Sequence, residues 1–113
     1  MISKYIIGLI RKDYQRRLSE ALERSYEQEL FFPSGKAREL MRYLSKGRSM
    51  LVLMAPEGKG NCIVSAKSIN CWETHGEVIH ATDEEKREVL KASIAYLEKR
   101  GRKVVVIDPQ PWQ

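Results

Sequence analysis

The stretch that decides the fold is TDEEKREVLKASIAYLEKRGRKVVVI, residues 82–107, because it contains a well-bounded helix followed by a short apolar strand. Thr82 and Glu85 have the spacing of a capping box, in which each side chain accepts a hydrogen bond from the other residue's backbone N–H. Apolar residues recur at helical spacing as far as Lys99, and Gly101 provides a C-terminal stop. We therefore predict a helix from Thr82 to Lys99 and a buried strand in KVVVID, residues 103–108.

Two more strands are predicted before this helix. SMLVLMA, residues 49–55, is continuously apolar, and CIVSAKSINCW, residues 62–72, alternates loosely. PEGKGN, residues 56–61, is rich in turn-forming residues, so we expect a hairpin there. It is a poor phosphate-binding loop, because no Ser or Thr follows Lys59 and no helix comes next. After Trp72 we expect a loop or an irregular edge.

The first half of the chain indicates two helices. From Lys4 to Phe31 apolar residues return near helical spacing, and Pro33 disfavours helical geometry at the residue before it. A second helix is predicted from Gly35 to Lys46, with Gly47 as its stop. Its buried side would be formed by Ala37, Leu40, Met41 and Leu44.

The order of these elements is helix, helix, strand, strand, helix, strand, which predicts an α+β fold. We expect a small, mostly antiparallel sheet of three to four strands packed with three helices. The 113 residues are of a size for a single domain. Residues 1–49 would form a basic two-helix part and residues 50–113 a ββαβ part.

Composition is that of a globular protein, with 42% hydrophobic and 31% charged residues. The apolar stretches are far shorter than the ~20 residues that cross a bilayer, so no membrane association is expected. The first residues lack the pattern of a signal peptide. Two cysteines and no secretory signal predict reduced thiols and a cytoplasmic location, although a Cys62–Cys71 disulfide stays open as an alternative.

Positive charge is concentrated in residues 1–49, where Lys and Arg number eleven against six Asp and Glu; residues 50–113 balance at nine against nine. A local basic surface suggests an acidic partner, either nucleic acid or a protein. In the predicted second helix, Arg38, Arg42 and Lys46 follow one another at i, i+4 and would repel unless an anionic partner compensated them. The alternative is an ordinary solvated face.

The decapeptide CWETHGEVIH, residues 71–80, contains both histidines of the chain. As a metal site it would combine Cys62, Cys71, His75 and His80, but no Cys-x-x-Cys knuckle is present. As a catalytic centre it would use His75 as base, Glu73 or Glu77 to orient it, and Cys71 as nucleophile, and proximity in sequence does not bring such groups together. We therefore predict no metal, no cofactor and no catalytic residue.

The decapeptide fits a binding surface better. A tryptophan beside polar groups is typical of an interface anchor, because it buries a large area with little loss of entropy. The predicted contact residues are Trp72, Glu73, His75 and Glu77, with Arg38, Arg42 and Lys46 as a second contact. The alternative is that Trp72 belongs to the core.

Residues 68–107 resemble the C-terminal part of a family of small immunity proteins from bacterial polymorphic toxin systems. The matching positions are Ser68, Ile69, Trp72, Glu73, His75, Glu77, Thr82, Glu85 and Gly101. Thr74 stands where that family usually has proline. The resemblance implies a non-enzymatic protein that blocks a co-encoded toxin and needs no cofactor.

Two functions follow as hypotheses. The first is a macromolecule-binding protein, of the immunity kind, with a protein partner such as a toxin. The alternative is a small nucleic-acid-binding or regulatory domain whose basic side chains contact phosphates. Those side chains would be Arg11, Lys12, Arg16, Arg17, Arg38, Arg42 and Lys46. The sequence leaves the oligomeric state open.

Overall fold

The computed structural model describes residues 4–33 and 40–113, with side chains for residues 12–32 and 40–113. Within these ranges two helices accompany a seven-stranded mixed sheet. The helices are α1 (Lys4–Arg24) and α2 (Asp83–Lys99). The strands are β1 (Leu30–Pro33), β2 (Leu40–Ser45), β3 (Arg48–Glu57), β4 (Asn61–Ser65), β5 (Cys71–Thr74), β6 (Glu77–His80) and β7 (Lys103–Ile107), and a short 3-10 helix spans Ala66–Ser68.

The long strand β3 organises the sheet. On one side it pairs with β2, and on the other it pairs with β4 and, further along the same edge, with β5. The 3-10 helix lies between β4 and β5, where the Leu53 N–H donates to Ser68 Oγ at 2.9 Å. β7 lies parallel beside β4, and β6 lies antiparallel beside β5. Within the described chain, β6 pairs with no strand other than β5.

The expected fold class is wrong in three respects. The described chain has two helices in place of three, seven strands in place of three to four, and a parallel pair between β4 and β7. The order is therefore helix, six strands, helix, strand, and the α+β description holds only at the coarsest level.

The predicted second helix is the largest error. Residues Leu40–Ser45 form strand β2, paired with β1 and β3, and residues 34–39 lie outside the described chain. Tyr43 and Leu44 are both buried but belong to two different apolar clusters. A strand that is covered on both faces loses the apolar and polar alternation of a half-exposed strand, and its sequence then resembles a buried helix.

The first helix is shorter than predicted, and its C-terminal end is tied to the sheet. α1 ends at Arg24, and the chain turns so that Leu30–Pro33 forms β1. Ser25 is 3% exposed; its carbonyl accepts from the Lys46 N–H at 2.9 Å, and its Oγ accepts from the Gly47 N–H at 2.8 Å. This serine attaches α1 to the turn between β2 and β3.

The helix and the strand predicted in residues 82–107 are confirmed, but the strand is not buried as predicted, since Val105 and Ile107 are 46% and 40% exposed. Glu85 N–H donates to Thr82 Oγ1 at 3.1 Å, and Thr82 N–H donates to Glu85 Oε1 at 2.9 Å, which is a complete capping box. At the other end Gly101 has a φ of +77°, and Arg102 N–H donates to the Leu97 carbonyl at 3.0 Å, as in a Schellman motif. Strand β7 follows at Lys103–Ile107, and the predicted turn between β3 and β4 is also present.

Two apolar clusters lie on opposite faces of the sheet. The larger packs α2 against β3, β4 and β5 and includes Trp112, which is 7% exposed, so the C-terminal residues are packed against the core. The smaller packs α1 against β1 and β2 through Ala21, Phe32 and Leu44. Among the described residues, no helix is both long and apolar enough to traverse a bilayer.

A candidate binding groove between α1 and the β5–β6 hairpin

An open groove of about 510 Å³ lies between α1 and the hairpin formed by β5 and β6. One wall is the C-terminal half of α1, and the other is hairpin residues 73–78. The floor between them is contributed by Arg42, Gly47 and Ser49. Three segments that are distant in sequence therefore meet at one concave surface.

The hairpin wall is built by a tight two-residue turn. His75 and Gly76 have φ angles of +47° and +79° and connect the paired residues Thr74 and Glu77. Two consecutive positive φ angles characterise a type I′ turn, whose twist suits a two-residue hairpin. The expected loop after Trp72 is therefore a regular hairpin, and His75 stands at its tip.

The floor carries a partly buried cation. The Arg42 side chain is 17% exposed, and its Nη1 donates to Glu73 Oε2 at 3.0 Å and to Ser49 Oγ at 3.3 Å. Burial alone would lower the pKa of Arg42, but hydrogen bonds with Tyr14 and Glu73 outweigh burial and raise it above its ordinary value. The guanidinium is thus permanently charged, and its Nε lacks a hydrogen-bond partner in the described chain.

The α1 wall is partly apolar. Leu18 and Leu22 are half-buried against the smaller cluster and also line the groove. Tyr26, just beyond the helix, is 66% exposed, and Val78 on the opposite wall is 69% exposed. Large apolar side chains with this exposure on both walls provide surface that a partner can bury.

The groove is acidic although the chain is basic. Its charged lining consists of Glu23, Glu73 and Glu77 against Arg42, with His75 between the last two carboxylates along the hairpin. Glu73 is paired with Arg42, whereas Glu23 and Glu77 form no ion pair with the described side chains. The excess negative charge favours a cationic ligand at this surface and disfavours a phosphate backbone.

Four of the residues predicted to contact a partner come together here: Arg42, Glu73, His75 and Glu77. Lys46 is exposed in the turn between β2 and β3, beside Gly47, with a φ of +53°. Arg38 lies outside the described residues, and because β2 replaces the second helix, the stacked basic face with Arg42 and Lys46 is not formed. Arg16 is paired with Asp13 at 2.7 Å and with Glu20 at 3.2 Å.

Trp72 lies on the opposite side of the hairpin. It is 2% exposed and belongs to the larger cluster, near Tyr43, so the structure places it in the core, the alternative that the sequence left open. The Arg48 guanidinium covers its ring at 4.1 Å from the centroid and bonds Glu85 Oε2 at 3.1 Å. Trp72 thus supports the hairpin from behind and does not line the groove.

The two cysteines and two histidines do not all meet at one point, although one pair of them is close. His75 is at the hairpin tip, whereas His80 is at the other end of β6, opposite Cys71, with Sγ and Nδ1 3.5 Å apart. Cys62 is buried in β4, and both thiols are free. In the described parts of the chain no three His, Cys, Asp or Glu side chains are grouped closely enough to hold a metal.

Sequence reasoning missed the apolar lining. The apolar spacing predicts a helix as far as Phe31, but α1 ends before Tyr26, and Leu18 and Leu22 are shared between core and groove. Val78 lies in the segment for which the sequence predicts a loop or an irregular edge, and in the structure it belongs to strand β6. The available signal was Gly76 between two short β-prone segments, because glycine is favoured at the second position of a type I′ turn, where φ is positive.

Comparison with known proteins found no match: no family model matches the chain, and neither the search of curated proteins nor that of solved structures gave a match.

Proposed function

We propose that this protein is a non-enzymatic binding protein that holds a basic, partly apolar segment of a protein partner in the groove between α1 and the β5–β6 hairpin. The proposal rests on the side chains that line the groove. Exposed Tyr26 and Val78 line it together with Glu23 and Glu77, which form no ion pair with the described side chains. Apolar contact with a partner contributes affinity, and complementary charge contributes specificity and a faster association rate.

The resemblance to immunity proteins supports the same class of function. It implies that the partner is a co-encoded toxin, and three of its matching positions, Glu73, His75 and Glu77, are on the groove wall. The alternative of nucleic-acid binding has less support, because Arg16 and Arg42 are both engaged by carboxylates.

The test is selection of peptides from a random displayed library on the wild-type chain, followed by measurement of the Kd of selected peptides by fluorescence polarisation. We expect peptides that combine Lys or Arg with apolar residues. The double reversal Glu23→Lys and Glu77→Lys should weaken their binding at least about tenfold.

The matched control is Glu57→Lys with Glu98→Lys, which changes the net charge equally at exposed positions outside the groove. Its Kd should stay within about twofold of wild type, since charge far from the site is screened. Equal losses in the two double variants would contradict the groove as the site. Tight, steeply salt-dependent binding of duplex DNA or single-stranded RNA, with no selected peptide, would favour the nucleic-acid alternative.

A further inference from the structure

We propose that Cys71 and His80 form a thiol site that reacts with small disulfides. The two side chains are on the same face of the β5–β6 hairpin, with Cys71 Sγ 3.5 Å from His80 Nδ1. Cys71 is half-buried and His80 is exposed, so a small reagent can reach the sulfur. Neither residue lines the groove, and the inference therefore does not depend on the proposed function.

The backbone holds this pair together independently of side-chain rotamers. Ala81 N–H donates to the Asn70 carbonyl at 3.0 Å, so Asn70 and Ala81 form a hydrogen-bonded pair at the end of the hairpin. Hydrogen-bonded and non-hydrogen-bonded pairs alternate in an antiparallel ladder, which makes Cys71 and His80 a non-hydrogen-bonded pair. Side chains approach each other most closely in pairs of this kind.

The surroundings suit proton transfer between the two groups. The charged side chains identified on this face of the neighbouring strands are Glu73 on β5 and Arg42 on β2, and these are joined to each other at 3.0 Å. Their charges compensate one another on the face of the sheet that Cys71 and His80 share. His80, when Nδ1 is unprotonated, is the base within reach of the Cys71 S–H.

The reaction is thiol–disulfide exchange. Cys71 Sγ attacks one sulfur of the disulfide while its proton passes to His80 Nδ1, and a new bond forms between Sγ and the attacked sulfur. The reagent's S–S bond breaks, and the second sulfur leaves as a thiolate that accepts the proton from His80. In the mixed disulfide the oxidation number of Cys71 Sγ has risen by one and that of the leaving sulfur has fallen by one, so the exchange balances without a further oxidant or reductant.

The chain contains its own comparison thiol. Cys62 is 5% exposed in the larger cluster, and burial raises its pKa above the ordinary value. A buried thiol without a nearby base is expected to be inert. The two cysteines of one folded protein should therefore differ in reactivity.

Glutathione disulfide at neutral pH is the probe, with intact mass and peptide mapping as readouts. We expect one adduct, on Cys71, that is absent in Cys71→Ser and unchanged in Cys62→Ser. His80→Gln and His80→Asn should each slow its formation at least about tenfold, the loss of a positioned base. Ile79→Gln is the control, because Ile79 is 45% exposed on the other face of β6, and its rate should equal that of wild type.

Modification of Cys62 in preference to Cys71 would overturn the proposal, as would a rate that both His80 variants leave unchanged. Far-ultraviolet circular dichroism of each variant establishes that the compared proteins are folded. If one of the two His80 variants is unfolded, the rate measured for the other His80 variant decides whether His80 assists the reaction.

Discussion

At the scale of single residues, the contrast between Trp72 and its neighbours shows how one strand serves two purposes. Successive side chains of a strand point to opposite faces of the sheet. Trp72 accordingly enters the core beneath the Arg48 guanidinium, while Glu73 projects into the groove and pairs with Arg42. A binding surface and the core that supports it are thus encoded in adjacent residues.

We expect Trp72→Ala to lower the free energy of unfolding by about 3–5 kcal/mol, because it removes a fully buried aromatic side chain and leaves a cavity. Urea denaturation followed by circular dichroism measures this change. Ile79→Ala, on the paired strand and 45% exposed, should cost less than about 1 kcal/mol. A melting temperature that Trp72→Ala hardly changes would show that Trp72 is an interface residue after all.

At the scale of secondary-structure elements, the sequence predicts what local signals determine. Helix α2 has a complete capping box, and Gly101 directly follows its C-cap residue, so both of its ends were predictable from a few residues. Strand β2 has no such signal, because Tyr43 and Leu44 are buried on different faces by partners distant in sequence. Gly47 has a φ of +76°, which fits a helix C-cap and the second position of a type I′ turn equally well.

For the candidate site too, the sequence predicts only the part whose residues are close together in the chain. Glu73, His75 and Glu77 are within one hairpin, and their common location follows from their closeness in sequence. Arg42 joins them only because β3 lies between β2 and β5. Ser49 of β3 pairs with Leu44 of β2 on one side and with Glu73 of β5 on the other. Periodicity cannot reveal such non-local pairing, and the α1 wall was missed for the same reason.

The capping box of α2 also makes a prediction about pH. The Thr82 backbone N–H, and then Arg48, hold the pKa of Glu85 below its ordinary value of 4.5. A carboxyl that is more acidic in the folded state stabilises the fold above its unfolded pKa, and this stabilisation is lost as the pH falls through the folded pKa. Glu85→Gln can retain the hydrogen bonds of the box through its amide oxygen, but it removes the charge and the second oxygen, which accepts from Arg48.

We therefore expect wild type to exceed Glu85→Gln in unfolding free energy at neutral pH, and the difference to shrink as the pH falls below about 4.5. Urea titrations at a series of pH values measure it. Glu84→Gln is the control, since Glu84 is exposed in the same helical turn and outside the box. A difference that is constant across the acid range would contradict the coupling of Glu85 ionisation to folding.

At the scale of the whole molecule, the two faces of the sheet are unequally packed. α2 lies on the large cluster that joins β3, β4 and β5, whereas the described side chains of α1 rest on a small cluster of Ala21, Phe32 and Leu44. Parts of a protein with few buried apolar contacts open locally at a lower free energy than the core. α1 is also one wall of the groove, so its opening would change the shape of the candidate site.

Hydrogen exchange measured by mass spectrometry should therefore show faster exchange of the α1 amides than of the β3 and α2 amides. The free energy of the opening that exposes the α1 amides should be lower by at least about 2 kcal/mol. Phe32→Ala should lower the protection of α1 further and leave that of α2 nearly unchanged, because Phe32 belongs to the smaller cluster, where its ring packs against Tyr14 of α1. A ligand in the groove should restore protection in α1 selectively, since it bridges that helix to the hairpin. The opposite result would be equal protection of both helices in wild type and an equal loss in both helices in Phe32→Ala. That result would show that the two faces of the sheet open as one cooperative unit and that the α1 wall of the groove is rigid.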